Sequence, residues 1–474
     1  MIDPNAFKLA SKRLFDLAPW PKPQLERFLE VFKELEPARR YRLSPNYLAE
    51  KINLDLATTA ELMLFAVKAG LLRMTWASHC PSCGSLVHGM GELNQLEQNF
   101  YCTLCELDNS NELDDQVEIN FSLAAEIAEP NFDPFRSYVD YTYFLFSEHI
   151  RRSEEFSCYL KDKAFQHYIG IDPGESATIN YQGQPGELLR LLSLENDARI
   201  YIDIGQGPGQ GEVTLRPAGF DCNRIELGSG PVRIIINNQS GRRAGFMLLL
   251  TDMAKLNQIL QKTPPYFAPF LSGKQMLNSQ HFRELFPVQS LPVDLSLKVR
   301  DQCILFTDLK GSTELYGKTG DIAAYKLVRR HFELLTDAVK THRGAIVKTM
   351  GDAIMASFNE PADGLEAAFM MIEEVNAFNL SKGEEKLGLK IGLHRGRAIA
   401  VNANQSLDFF GQTVNLAARV QGLAQAGEIW ITEPVHQDPK VRQLITGHHF
   451  DAKASKAHLK GIVQEQAVFC LVKT

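Results

Sequence analysis

Two carboxylates in the C-terminal third of the chain have the setting that chemistry at phosphorus requires. Cys303-Ile-Leu-Phe-Thr-Asp308 reads as a buried strand ending in an aspartate, and the turn Leu309-Lys310-Gly311-Ser312 then feeds a helix. A strand-end carboxylate beside a helix N-terminus can hold a divalent cation while free backbone N–H groups hold phosphate. In Ala345-Ile-Val-Lys348-Thr-Met-Gly351-Asp352-Ala-Ile-Met-Ala-Ser-Phe358, two β-rich runs flank Gly-Asp, a hairpin signal that lifts Asp352 to the sheet edge. If that hairpin lies beside the first strand, Asp308 and Asp352 converge. Two carboxylates on adjacent strands are what two Mg²⁺ ions need for an in-line displacement. Taken alone, Asp352 reads equally well as a turn aspartate.

A third segment, Asp408-Phe-Phe-Gly411-Gln-Thr-Val-Asn415-Leu-Ala-Ala-Arg419, turns helical from Thr413. Asn415 and Arg419 are four residues apart and project from one helical face. Apolar Val414, Leu416, Ala417 and Ala418 fill the others, so the helix is packed and its polar pair points at something.

A fourth group is separate. The spacing Cys80-x2-Cys83-x18-Cys102-x2-Cys105 is that of a zinc ribbon. Four thiolates close a tetrahedral structural site with no open position for chemistry, so the metal here is a clip for the fold. His79 and His88 stand nearby as alternative ligands. The remaining cysteines, Cys158, Cys222, Cys303 and Cys470, are scattered, which fits a reducing compartment better than a disulfide framework.

The elements around these groups divide the 474 residues into about three or more domains. Residues 1–76 read as short helices followed by a strand, Leu71 to Trp76, a winged-helix-like pattern. Asp3 or Asn5 caps the first helix, Gln24 to Leu35 is amphipathic, Ser44 caps a helix with Pro45 in its first turn, and Gly70 ends Thr58 to Ala69. Residues 77–125 hold the zinc ribbon. In residues 131–260 an aromatic-rich helical stretch, Phe132 to Tyr168, gives way to short alternating strands. These are Arg199–Ile204, Glu212–Arg216, Val232–Asn237 and Gly245–Leu250, and they predict an antiparallel β-sandwich. Gly205, Gly207, Gly209 and Gly211 resemble a phosphate loop, but Gln210 stands at the third glycine position and a strand follows, so a glycine-rich turn is the better reading. Residues 261–298 form a linker, and from 299 to 474 strands alternate with helices as in an α/β sandwich. The fold class is thus multidomain α+β.

Composition narrows the partners. Hydrophobic residues make up 45% of the chain, charged residues 23%, and the net charge is −7, values of a globular protein with no electrostatic footprint for nucleic acid. The helix Thr58–Ala69 carries Glu61 and a single Lys68, poor equipment for phosphates or base edges. A packing or sensing module is the better reading of that region. No apolar run reaches membrane-spanning length, and Met1 to Arg13 lacks the order of a signal peptide, which predicts a cytoplasmic protein.

Taken in order, five landmarks make the segment from about Leu297 to Lys473 resemble the class III adenylyl and guanylyl cyclases over nearly the whole catalytic domain. They are Phe306-Thr-Asp308-Leu-Lys-Gly311-Ser, Lys348-Thr-Met-Gly-Asp352, Gly392-Leu-His-Arg-Gly396, Asp408 through Arg419, and Leu459-Lys460-Gly461. The resemblance implies a ferredoxin-like core, a head-to-tail homodimer and active sites at its interface. It implies that Asp308 and Asp352 bind two Mg²⁺ or Mn²⁺ ions with the Leu309 carbonyl, and that Gly311 and Ser312 line the phosphate turn. It further implies that Lys348 and Asp408 read the base, Asn415 orients the ribose, Arg419 stabilises charge on the α-phosphate, and Lys390 and Lys460 contact the outer phosphates.

The base-reading pair can be weighed chemically. Adenine offers an acceptor at N1 and a donor at N6, which a lysine donor and an aspartate acceptor match in order; guanine opposes both. Guanylyl cyclases of the family usually carry Glu and a small residue at these positions. ATP is therefore the expected substrate, with a guanylyl cyclase as the alternative. A catalytically silent dimeriser in a regulator is a third reading, which predicts missing site residues where all six are present. One departure is the stretch from Arg397 to Leu407, where the usual Gly-x-x-Gly of the dimerisation arm is absent. No residue offers itself as general base, leaving metal, substrate and water as proton acceptors. The N-terminal domains are expected to regulate the catalytic one through an unidentified ligand or protein.

Overall fold

The computed structural model describes residues 2–87, 93–129, 132–287, 291, 295–310, 321–382, 388–403, 406–462 and 464–473. It divides into two units, Met1–Asn111 with Asp115–Leu271, and Glu112–Asp114 with Ser272–Thr474.

The first unit opens with helices whose starts are set by side-chain caps. Asp3 accepts the N–H groups of Asn5 and Ala6 to begin Pro4–Leu17, and Ser44 caps Pro45–Ile52. The helix expected from Thr58 begins instead at Leu56, because Asp55 captures the Thr58 N–H. Leu14, Leu25, Phe28, Phe32, Leu48 and Leu62 bury their side chains between these helices. After Gly70 (φ +82°) the strand Leu72–His79 pairs with Val117–Leu123, from Leu72 opposite Leu123 to Ser78 opposite Val117. Asn99–Cys102 and Leu107–Ser110 form a separate hairpin.

The stretch Phe132 to Tyr168 is not one helical region. Helix is confined to Tyr138–Leu145 and to Glu154–Tyr159 with its continuation Leu160–Ala164, and Phe165–Ile171 is a strand. Its aromatic residues serve sheet packing: the buried Tyr141 ring covers Gly245, where an added Cβ would lie 2.4 Å from the ring.

Beyond it, a five-stranded and a four-stranded sheet enclose one core that includes Ile179, Leu191, Ile200, Ile202, Val213, Ile234 and Phe246. The arrangement is not wholly antiparallel, as alternation alone had implied. Ala198–Gly205 runs parallel to Arg224–Gly228, and Gln210–Arg216 parallel to Gly230–Asn238. The chain passes from the first sheet to the second at 171–176, at 205–210 and at 228–230, and the strands on each side of the last two crossings share a direction. The glycine-rich segment is one of those crossings. A Cβ on Gly207 would lie 2.5 Å from the Glu226 carbonyl oxygen, so close backbone approach accounts for that glycine.

The second unit begins with two short helices, α1 (Gly273–Leu277) and α2 (Gln280–Leu285). There follow β1 (Leu297–Lys310), α3 (Asp321–Thr341), β2 (Ala345–Met350), β3 (Ala353–Phe358), α4 (Pro361–Lys382) and β4 (Gly388–Ala403). Then come β5 (Ser406–Phe410), α5 (Gln412–Gln421), β6 (Ile429–Thr432), α6 (Glu433–His436), α7 (Pro439–Gly447), β7 (Phe450–Ala457) and β8 (Gln466–Lys473). The strands form one sheet in the order β2-β3-β1-β4-β6-β8-β7, with β5 paired to the end of β4. Strands β1 to β4 with α3 and α4 make a βαββαβ unit of ferredoxin-like order. Its core joins Leu305 and Phe358 of the sheet to Leu335 and Ala338 of α3 and Leu365, Ala368 and Met371 of α4.

Two local details differ from the linear reading. The strand bearing Asp308 does not end there; buried Leu309 extends it, and the ladder closes only where Lys310 faces Gly388. Gly311 and Ser312 lie outside the described residues. The Gly351-Asp352 turn does close a hairpin, with Met350 opposite Ala353 and Gly351 at φ +65°. At the far edge, β7 is paired to β8 and, among the described residues, to no other strand, and it exposes Lys453 and Lys456.

Gly392 of β4 is the point where α5 touches the sheet: a Cβ there would lie 2.2 Å from the Gln421 backbone nitrogen. Gly392→Ala should therefore destabilise this unit by about 1–3 kcal/mol through overpacking, seen as a lowered melting temperature. Gly447→Ala, whose new methyl meets no atom within 4 Å outside its own helix, is the matched control and should melt at or slightly above the parent.

Candidate active site

Asp308 lies in the middle of the sheet, on β1, directly opposite Lys390 of β4. The Lys390 ammonium donates to Asp308 Oδ2 at 3.0 Å. Asp352 sits in the β2–β3 turn. The β1–β3 ladder runs from Cys303 opposite Phe358 to Phe306 opposite Met355, and two residues further the same register sets Asp308 alongside Ala353, next to Asp352. Thr307 ties the turn in place, its hydroxyl accepting the Ile354 N–H at 3.1 Å.

Asp352 Oδ2 is buried and has no hydrogen-bond partner among the described residues. Leaving a carboxylate oxygen so costs free energy unless a cation or donor meets it. Two carboxylates and a backbone carbonyl form an all-oxygen set, the preference of Mg²⁺ or Mn²⁺. Beneath the turn, His331 of α3 is fully buried. Burial pushes its pKa down to about 4 against the pull of the Asp352 charge, so the ring is neutral.

Lys348 on β2 and Asp408 on β5 are 60 residues apart in the chain, yet Lys348 Nζ donates to Asp408 Oδ2 at 2.6 Å. The other oxygen, Oδ1, accepts the Phe409 N–H at 2.8 Å. Lys348 is 39% exposed and Asp408 15%, so the pair is open on the lysine side.

Asn415 and Arg419 are exposed on α5, while Thr413, Leu416, Ala417 and Val420 bury the opposite face. The helix follows Gly411, whose φ of +132° favours glycine. The Thr413 hydroxyl donates to the Arg397 carbonyl and fixes the first turn against β4. Lys460 is exposed in the turn after β7, beside Gly461 at φ +83°. Lys390 therefore meets Asp308 rather than open solvent, and Lys460 has no partner among the described hydrogen bonds and ion pairs.

In the other unit, the sulfur atoms of Cys80, Cys83, Cys102 and Cys105 all lie within 4.8 Å of one another. Cys80 and Cys105 are 3.9 Å apart, Cys83 and Cys102 3.6 Å. Zinc–sulfur bonds of about 2.3 Å in a tetrahedron imply sulfur separations of about 3.8 Å, so the four thiols fit such an ion. The four thiols hydrogen-bond one another, which pulls Cys102 below the ordinary thiol range and pushes Cys83 and Cys105 above it. His79 is turned away, stacked on Phe267 at 4.1 Å and 3.6 Å from Glu118. His88 lies outside the described residues.

Several residues important to this geometry carried no signal in the sequence: Thr307, His331, and Arg283 of α2, whose guanidinium reaches the Leu407 carbonyl at 2.8 Å. Each acts through a contact remote in the chain, and only a buried histidine in an amphipathic helix such as His331 could have drawn notice.

Residues 25–284 match a family described as "Family of unknown function (DUF5939)", and residues 296–472 match the "Adenylate and Guanylate cyclase catalytic domain". An adenylate cyclase of Anabaena cylindrica is 29% identical over 184 residues, covering 36% of each chain. Putative adenylate cyclase 3 of Rhizobium meliloti is 27% identical over 143 residues, covering 30% of this chain and 24% of that protein. This chain thus spans well under half the length of either relative. Among solved structures, the adenylyl cyclase CyaB from P. aeruginosa is similar, at 19% identity and a TM-score of 0.35, over 38% of this chain and 97% of that one. No helix among the described residues is long and apolar enough to cross a membrane.

The Lys348–Asp408 pair should contribute modestly to stability because its lysine is solvated. A double-mutant cycle with Lys348→Ala and Asp408→Ala should give a coupling of about 0.5–1 kcal/mol that shrinks with added salt. Denaturant titrations of the four proteins at two ionic strengths supply the numbers.

Proposed function

We propose that this chain, which belongs to the family of unknown function DUF5939 and carries a class III nucleotidyl cyclase catalytic domain in residues 296–472, converts ATP to 3′,5′-cyclic AMP and pyrophosphate. The observation that carries the choice of ATP is the direct Lys348–Asp408 pairing. A lysine donor held beside an aspartate acceptor presents the complement of adenine N1 and N6 in one plane of approach. Guanine would set donor against lysine and acceptor against aspartate, leaving buried polar groups mismatched.

In the reaction the ribose 3′-hydroxyl gives up its proton to water or to the triphosphate, its oxygen attacks the α-phosphorus, a new phosphorus–oxygen bond closes the ring, and the bond to the leaving pyrophosphate breaks. Asp308, Asp352 and the Leu309 carbonyl would hold divalent cations, which would supply charge neutralisation for the triphosphate. Asn415 orients the ribose, and Arg419 stabilises charge on the α-phosphate as it builds. Lys390 is placed to exchange its bond with Asp308 for the phosphates once nucleotide and metal arrive, with Lys460 as a second phosphate contact.

The outward aim of Asn415 and Arg419 on α5 supports a site shared between two copies. A homodimer would then hold two equivalent sites, each with metals from one chain and α5 from the other. The helical, four-cysteine and two-sheet parts of the first unit are read as winged-helix-like, zinc-ribbon and β-sandwich regions. They serve to bind a regulatory ligand or protein, with zinc as a structural clip. Free thiols and a nucleoside triphosphate substrate suit the cytoplasm.

Turnover should be many-fold faster with ATP than with GTP in the presence of Mg²⁺ or Mn²⁺, and Lys348→Glu should erode that preference; equal use of GTP by the parent would overturn the base assignment. Asp308→Ala and Asn415→Ala should each be nearly inactive, while their mixture recovers activity, at most about half the parent value per heterodimer. Mixtures that exchange subunits and stay inactive would exclude a shared site. Metal analysis should find one zinc per chain, and Cys102→Ser should lose it and lower the melting temperature of the N-terminal unit.

A further inference from the structure

The two strands that carry the base-reading pair are both held by the same short helix. α2 begins after Ser279, whose hydroxyl accepts the Phe282 N–H at 3.2 Å, and Phe282 is fully buried. Its outer end is tied to α3 by the Glu284–Lys340 ion pair at 2.8 Å. From this fixed base two side chains reach the sheet.

Gln280 Oε1 accepts the Ile346 N–H at 2.7 Å. Ile346 borders the irregularity of β2, where the register against β3 shifts between Ile346 and Lys348. A bulge re-aims the side chain that follows it, here Lys348. Arg283 Nε donates to the Leu277 carbonyl at 2.9 Å, and its Nη1 to the Leu407 carbonyl at 2.8 Å. Leu407 precedes Asp408 on β5, and among the described strands β5 is paired to β4. Burial pushes the Arg283 pKa down to about 10 while the Asp408 charge pulls it up, so the guanidinium stays charged at neutral pH.

We infer that Arg283 and Gln280 make α2 a bracket that sets the position of Asp408 relative to Lys348, and that Arg283 is a positioning residue for base selection. The inference rests on the reading of Lys348 and Asp408 as the base-reading pair. It adds that discrimination is fixed from outside the nucleotide site, by the segment through which the chain enters the catalytic fold. A side chain that grips an edge strand by its carbonyl limits how far that strand can shift. Without it, β5 keeps its pairing to β4 and the Lys348–Asp408 contact, and Asp408 can shift with the strand.

The test uses the full chain and compares kcat/KM for ATP and for GTP in Arg283→Ala, Arg283→Lys and Gln280→Ala, with Lys348→Ala as reference. Loss of one charge-assisted hydrogen bond should lower kcat/KM for ATP about tenfold in Arg283→Ala. GTP use should change less than about twofold, so that the ATP/GTP ratio falls with it. Arg283→Lys, which keeps the charge, should recover part of the ratio, and Gln280→Ala should shift it the same way by less. In an Asp408→Ala background Arg283→Ala should add nothing. If Lys348→Ala collapses the ratio while Arg283→Ala and Gln280→Ala lower both substrates equally, the bracket is refuted and base reading stands. If Lys348→Ala leaves the ratio unchanged, base reading itself falls and takes the inference with it. Should Arg283→Ala fail to fold, judged by its melting curve, Arg283→Lys and Gln280→Ala decide the matter by the same ratio.

Discussion

From Leu297 against Ala400 to Lys310 against Gly388, β1 and β4 run as one antiparallel ladder through the centre of the catalytic unit. Every element of the candidate site hangs from it. β1 carries Asp308 and offers its other edge to the hairpin that presents Asp352. β4 carries Lys390, receives α5 at Gly392, and extends far enough to pair with β5 and so to support Asp408. From Cys303 to Phe306 β1 is paired on both sides, with β3 and with β4, which makes that stretch the stiffest part of the sheet. Groups separated by a hundred residues are thereby held to the tolerance of a hydrogen bond.

Where the ladder is broken, buried polar groups repair it. Its register shifts between Val299 and Gln302, and Gln302 is wholly buried there. The Gln302 amide exchanges hydrogen bonds with Asn278 and donates to the Phe358 carbonyl, and Asn278 also reaches Asn359. All three side chains come from different elements, so the network fixes the end of α1 to the sheet. A satisfied buried network of this kind specifies one arrangement more sharply than apolar contact can.

The parts of this structure that sequence revealed are those with short-range causes. Helix starts at Asp3 and Ser44 follow from side chains bonding their own neighbours. The Gly351-Asp352 hairpin follows from one residue able to take positive φ. The four cysteines are legible because each pair sits in a single turn, and Lys348 with Asp408 because the chemistry of the pair is recognisable from motifs. What stayed hidden depends on partners far along the chain. The extension of β1 past Asp308 needs β4 to pair with it. The two parallel strand pairs follow from which sheet each crossing enters, which alternation cannot encode. Lys390 facing Asp308, and Arg283 reaching Leu407, are products of register. The aromatic run at 132–168 misled because large rings suit a helix face and a sheet face equally well.

The outermost strand of the catalytic sheet, β7, has one bonded neighbour among the described strands and exposed Lys453 and Lys456 along its length. An open strand edge is a template on which any extended polypeptide could polymerise, and charged lysines on the edge strand make pairing with a second such edge cost desolvation. Growth by edge-to-edge addition, the route to fibrils, is thus discouraged on this side.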